Sequence, residues 1–212
     1  MTTSLPLDRK ILTGLTTAIA AIALLLVAAP GAKAGVLVND APNCAEESLT
    51  RPYLPWADLM QYQFAPDGGF ENGGEGWSLD GASGTGGNEG YYVHDAGDSS
   101  SLAIPAGSSA TSPTVCVGLE HPTLRFFAKK TSGLLGSMAV EVRFELANGD
   151  VVSAPIGVVT PSSSWQPTVP MPIVANLLPL LPGDHTPVQF KFTALSGNWK
   201  IDDVFVDPTR RS

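Results

Sequence analysis

Trp199-Lys200-Ile201-Asp202-Asp203-Val204-Phe205-Val206-Asp207-Pro208 reads as a buried β-strand that carries two adjacent carboxylates and stops at proline. Side chains alternate across a strand, so Trp199 and Ile201 share one face while Val204 and Val206 fall on the other. Two arrangements reconcile that parity with burial. Either both faces are covered, or an extra residue at Asp202-Asp203 makes a bulge that gathers both apolar pairs on one face and re-aims a carboxylate.

Working outward, residues 188–194 alternate Val188, Phe190, Phe192 and Ala194 with polar positions, and Ser196-Gly197-Asn198 turns the chain into the last strand. Residues 138–146 alternate in the same way over Met138, Val140, Val142, Phe144 and Leu146. Asn148-Gly149-Asp150 then makes a tight turn into a further strand over 151–156. Residues 123–129 place Leu124, Phe126 and Ala128 opposite Arg125, Phe127 and Lys129. Pro167, Pro170 and Pro172 suit an edge strand, and Leu177 to Pro182 reads as an apolar flap. Short strands at 59–64, 101–104 and 114–117, with no helical period after the N-terminal segment, predict an all-β chain folded as an antiparallel β-sandwich.

The N-terminal segment reads as a signal peptide helix, residues 1–34. Arg9 and Lys10 precede an apolar run, Pro30-Gly31 breaks it, and Ala32-Lys33-Ala34 offers a small-residue cleavage site. The expected location is secreted, extracellular or cell-surface. No other stretch approaches the roughly 18 apolar residues of a membrane span, so no membrane association is expected after cleavage. Residues 35–58, punctuated by Pro42, Pro52 and Pro55, read as an extended arm whose Tyr53 and Trp56 pack down onto the sandwich. The sandwich domain is expected over 59–208, followed by a polar tail over 209–212. In an exported protein the two cysteines, Cys44 and Cys116, are expected to pair, stabilising by about 4 kcal/mol on a chain-entropy estimate.

The whole chain carries a net charge of −8, and loss of Asp8, Arg9, Lys10 and Lys33 makes it more negative. So few basic residues argue against nucleic acid as a partner. Gly81, Gly84, Gly86, Gly87 and Gly90 lie in a run that lacks the lysine and helix of a phosphate loop, and it reads as a surface loop leading to a β-like Tyr91-Tyr92-Val93. His94, His121 and His185 form no HxH or HExxH set, no Gly-x-Ser-x-Gly elbow occurs, and the chain is not expected to be an enzyme.

Asp67-Gly68-Gly69-Phe70-Glu71 and the closing Ile201-Asp202-Asp203-Val204 together resemble the first and last strands of carbohydrate-binding-module and galactose-binding-like β-jelly rolls. The resemblance implies a jelly-roll sandwich with Trp77 in its core. It also implies a structural Ca2+ clamping the first strand to the last, with Glu71, Asp202 and Asp203 as ligands and carbonyls of the His94-to-Ser100 loop, with Asp95 and Asp98, near it. By the same resemblance the partner is a polysaccharide or glycan. Tyr91, Tyr92 and Trp165 are the preferred stacking residues. The alternative is a structural or protein-interaction domain of the cell envelope without a small ligand.

Overall fold

In the computed structural model, residues 36–39, 48–177 and 185–208 are described. The signal segment 1–34, Cys44, the end of the flap at 178–182 and the tail 209–212 lie outside them.

Two long strands organise everything else. The strands in chain order are β1 (Leu49–Thr50), β2 (Tyr62–Phe64), β3 (Ser78–Asp80), β4 (Ser83–Gly86), β5 (Ser100–Ile104), β6 (Ser109–Thr111), β7 (Val115–Val117), β8 (Thr123–Glu145), β9 (Val151–Val159), β10 (Gln166–Pro167), β11 (Met171–Pro172) and β12 (Thr186–Asp207). All pairings between them are antiparallel. β8 and β12 run side by side from Asp207↔Thr123 to Val188↔Phe144, with register shifts between Ala194 and Trp199. Those irregularities bend the pair into two halves.

In one half, β10 and β11 flank the start of β8, while the end of β12 is bordered by β5 and β2, which carry β4 and β1. In the other half, β9 flanks the end of β8, and the start of β12 is bordered by β6 and β7, with β3 beyond β6. The halves face each other. Phe126 of the first meets Phe192 of the second edge-on at 5.0 Å between ring centroids, and Trp77 lies 5.8 Å from Phe192 on another side. The fold is therefore an all-β antiparallel sandwich, made by one hydrogen-bonded sheet doubled over its own core.

Of the two arrangements open for the last strand, the bulge is the one adopted. Asp202 pairs with Phe127 and Phe205 with Arg125, so β12 advances three residues while β8 advances two. Asp203 sits at φ +47°, the left-handed conformation that aspartate and asparagine tolerate better than bulkier residues. Trp199, Ile201, Val204 and Val206 consequently all enter the main core, with Phe70, Trp77, Leu124, Phe126, Val140 and Phe190.

Several local expectations change. Residues 35–58 are not simply extended: Val36–Asn39 form a helical turn (α1), β1 adds to β2, and Leu54–Trp56 make a 3-10 turn. The first strand shortens to Tyr62–Phe64. The glycine-rich stretch contains a strand, because β4 pairs with β5, and Gly84 allows it to cross the turn at Gly73: a Cβ there would stand 2.7 Å from the Gly73 Cα. Tyr91 to Val93 is a turn instead of a strand, for a reason given below. The edge expected around Pro167 to Pro172 is two short pieces, β10 and β11, interrupted where proline cannot donate.

Candidate functional site

The outer face of the first half carries the polar and aromatic features. Lys200, Asp202 and Phe205 of β12 point away from the main core, beside Arg125, Phe127 and Lys129 of β8. Phe127 and Phe205 are fully buried there by Tyr53 and Tyr62, forming a second, aromatic core. Tyr53 stacks on Phe127 at 5.7 Å and meets Phe205 edge-on at 5.8 Å. The arm is thus packed down onto the sheet, as its aromatic residues suggest. Arg125 lies over the Tyr53 ring at 3.9 Å and donates to Asp58 at 2.7 Å, while the Tyr62 hydroxyl donates to the same carboxylate at 2.8 Å.

Asp202 lies on this face too, yet it is inaccessible to solvent. Its carboxylate accepts the Glu89 backbone N–H at 2.8 Å and that of Asp203 at 3.0 Å. Glu89, also fully buried, in turn accepts the N–H groups of Tyr91 at 2.6 Å and Val93 at 2.9 Å. This relay folds residues 89–93 into a turn over Asp202 and holds Tyr91 at the sheet. Tyr91 meets Trp56 edge-on at 4.8 Å and lies 5.7 Å from Phe127, but remains 47% exposed. Tyr92 is 52% exposed at φ +53°. Trp165 is half-buried against the same aromatic core, with the Lys129 ammonium 4.6 Å from its ring centroid. Tyr91 and Trp165 are thereby brought to one aromatic surface, to which Trp56 is added. Among the described residues Tyr92 has no aromatic ring contact.

The bulge builds the second feature. The turn at 66–69 lies against it: Ala65 N–H donates to Val204 O at 2.9 Å, and Val204 N–H donates to Gly68 O at 3.2 Å. The opening motif and the closing strand do meet, through a turn and not as paired strands. Asp67 caps that turn by accepting the N–H groups of Asn72, Gly74 and Glu75. Glu71 accepts those of Ser99 at 2.8 Å and Ser100 at 2.7 Å, which tie the 94–100 loop down.

Asp203 is different. It is fully buried, and the His94 backbone N–H that approaches its carboxylate makes no well-formed hydrogen bond with either oxygen. Burial pushes its pKa up to about 8, with the negative charges of Glu89, Asp98 and Glu71 adding to the rise. Burial, then Asp203, pushes Asp202 up to about 9. Such a carboxylate asks for a cation.

Asp203, Asp98 and His94 each offer a ligand atom within 4.8 Å of the others. Asp98 accepts the Asp95 N–H at 3.2 Å and contacts His94 Nδ1 at 2.8 Å, while the His94 ring stacks on Phe64 at 3.9 Å. Asp95 closes its own turn onto Gly97. Gly69 leaves the space open, since a Cβ there would stand 3.2 Å from Asp203 Oδ1. These groups fit a divalent cation: two carboxylates from different segments, a negative surround and an orphaned buried acceptor. Of the ligands implied by the resemblance, Asp203 takes this position, while Glu71 and Asp202 are engaged on backbone amides. Asp98 and His94 join Asp203 because the bulge aims it toward their loop.

A further group, Glu120, His121 and His185, meets where β7 pairs with the start of β12. Glu120 Oε1 lies 3.1 Å from His185 Nε2, but His121 Nδ1 already accepts the Gly118 N–H at 2.9 Å. Its lone pair is committed to closing the turn.

No family model matches the chain, and no curated protein matches it. Among solved structures it is similar to tailspike protein 4 of bacteriophage CBA120 (17% identity, 74% of this chain and 22% of that one, TM-score 0.45). It is similar also to the CBM22-1–GH10 modules of Clostridium thermocellum xylanase 10B (14% identity, 68% and 28%, TM-score 0.46). A third is the C-terminal CBM6 of LamC from Zobellia galactanivorans (11% identity, 64% and 95%, TM-score 0.42). This chain therefore spans less than a third of the first two. The functional reading rests on the site's own geometry.

Proposed function

We propose that the chain is an exported, non-catalytic β-sandwich domain that binds carbohydrate of the cell surface or surroundings. The observation that carries this reading is the aromatic surface of Trp56, Tyr91 and Trp165. Tyr91 is open to solvent, its backbone is held by the Asp202–Glu89 relay and its ring packs on Trp56 and Phe127, so less side-chain freedom remains to be lost when a sugar ring stacks on it. The carbohydrate-binding modules among the similar structures are compatible with this, as is the resemblance of the two end motifs.

Calcium belongs to the same reading as a structural ion. Asp203 and Asp98 would hold it, His94 would border it, and the ion would supply the positive charge that Asp203 lacks. A Cys44–Cys116 bridge, with Cys116 buried on β7, would fasten the N-terminal arm to the second half of the sandwich.

The test is a glycan array and an insoluble-polysaccharide pull-down with the full chain, in calcium and then in chelator. Saturable binding lost in Tyr91→Ala supports the reading; absence of binding in both conditions overturns it. The second reading is a protein-interaction domain, and its specific support is the tip between the halves of β8, where Leu134 is 97% and Leu135 78% exposed.

A further inference from the structure

On the outer face of the first half, Lys129 and Lys200 are direct cross-strand partners. Like charges placed opposite each other in a sheet destabilise it, and this protein is otherwise acidic. Arg125, on the same face of β8, is already paired with Asp58. Among the described residues no carboxylate forms a salt bridge with Lys129 or Lys200. Asp202, the nearest acidic neighbour along β12, has its oxygens on the Glu89 and Asp203 amides.

Lys200 is steered by a 2.6 Å bond from its ammonium to Gly86 O, and Gly87 lies beside it, where a Cβ would stand 3.5 Å from Nζ. Lys129 is steered by the Trp165 ring. Each ammonium group is therefore turned to an uncharged partner, Lys200 toward the β4 side and Lys129 toward the β10 side of the β8–β12 pair. Burial, followed by the charge of Lys129 and against the opposing charge of Asp202, holds the Lys200 pKa below the ordinary lysine value.

The aromatic surface begins at the same place. Trp165 underlies Lys129, and Phe127, two residues along the same face of β8, carries Tyr91 and Trp56. We propose that the Lys129–Lys200 pair makes this surface a site for acidic sugars, with the carboxylate of a uronate unit drawing the ammonium groups from their neutral partners while sugar rings lie on Trp165 or Tyr91. The inference rests on the carbohydrate reading above and adds its substrate class. Paired cations recognise the carboxylate through charge-assisted hydrogen bonds, and the aromatic faces distinguish a sugar from any other polyanion.

The experiment is calorimetric titration of the full chain with trigalacturonate, its methyl ester, neutral galactotriose and polyglutamate. Trigalacturonate is expected to bind about tenfold or more tightly than the ester or galactotriose, the scale of one charge-assisted bond, and to weaken with added NaCl. Lys129→Gln and Lys200→Gln should each remove that preference without lowering the melting temperature, and Lys129→Arg should keep it. If the ester and galactotriose bind as well as trigalacturonate, or if Lys129→Gln leaves the preference intact, the acidic-sugar assignment falls while carbohydrate binding stands. Polyglutamate binding as tightly as trigalacturonate would reduce the site to a charge patch and overturn it. If no saccharide binds, both readings fall together.

Discussion

The Gly68 Cα faces the Val204 carbonyl so closely that a Cβ on it would stand 3.0 Å from that oxygen and 3.0 Å from the Ala65 carbonyl. Both obstacles are backbone. Gly68→Ala should push the 66–69 turn off the bulge and cost about 1–3 kcal/mol, read as a lower urea midpoint at unchanged slope. An unchanged midpoint would mean that the turn does not lean on β12.

Asp203→Asn separates charge from shape. Asparagine accepts the positive φ of this position and removes a buried carboxylate, so in chelator the variant should melt at or above the wild-type temperature. Calcium should raise the melting temperature of the wild type by binding linkage and leave Asp203→Asn unmoved. Equal calcium responses in the two proteins would remove Asp203 from the ion's shell.

The raised pKa values of Asp202 and Asp203 carry a direction in pH. Carboxylates that titrate near 9 and 8 when folded, but near 3.8 when unfolded, favour the folded chain while they stay protonated. Their stabilisation is fully present below about pH 4 and is lost as pH rises through 8 to 9. In chelator the melting temperature should therefore fall from pH 5 to pH 9, and millimolar calcium should flatten the fall because it offsets the same charges. A rise over that interval would contradict the assigned burial.

Asp58 holds the arm through Arg125, whose side chain is 9% exposed, and through the Tyr62 hydroxyl. Asp58→Ala leaves a nearly buried guanidinium without its anion and should cost about 3 kcal/mol. Proteolysis near residues 53–60 should become faster in the variant. An arm as resistant as in the wild type would show that Tyr53 packing alone retains it.

The main core was legible because it follows strand parity. Leu124, Phe126 and Ala128, the run from Met138 to Phe144 and the run from Val188 to Ala194 all alternate, and the break in parity at Asp202-Asp203 has the bulge as its cause. The second core was only half legible. The aromatic residues of the arm announced that it packs down, but Phe127 between Arg125 and Lys129 looks like part of a solvated row until Tyr53 is placed over it.

Least visible was the Asp202–Glu89–Tyr91 relay. It joins carboxylates to backbone amides across 113 positions, and hydrogen bonds of that kind leave no periodicity. The Lys129–Lys200 pairing was hidden for a related reason, since register between distant strands depends on the bulge and corner residues that lie between them.

β12 also sets the order in which the chain can acquire its structure. It is the last of the described strands in sequence and lies next to β2, β5, β6, β7 and β8, so the earlier strands emerge from synthesis without their central partner. Neither face of the core can close until residues 186–207 are available, and closing it demands pairings as distant as Phe64 with Phe205. A nascent chain built this way stays open until its final stretch is made and then assembles both layers in one slow, non-local step.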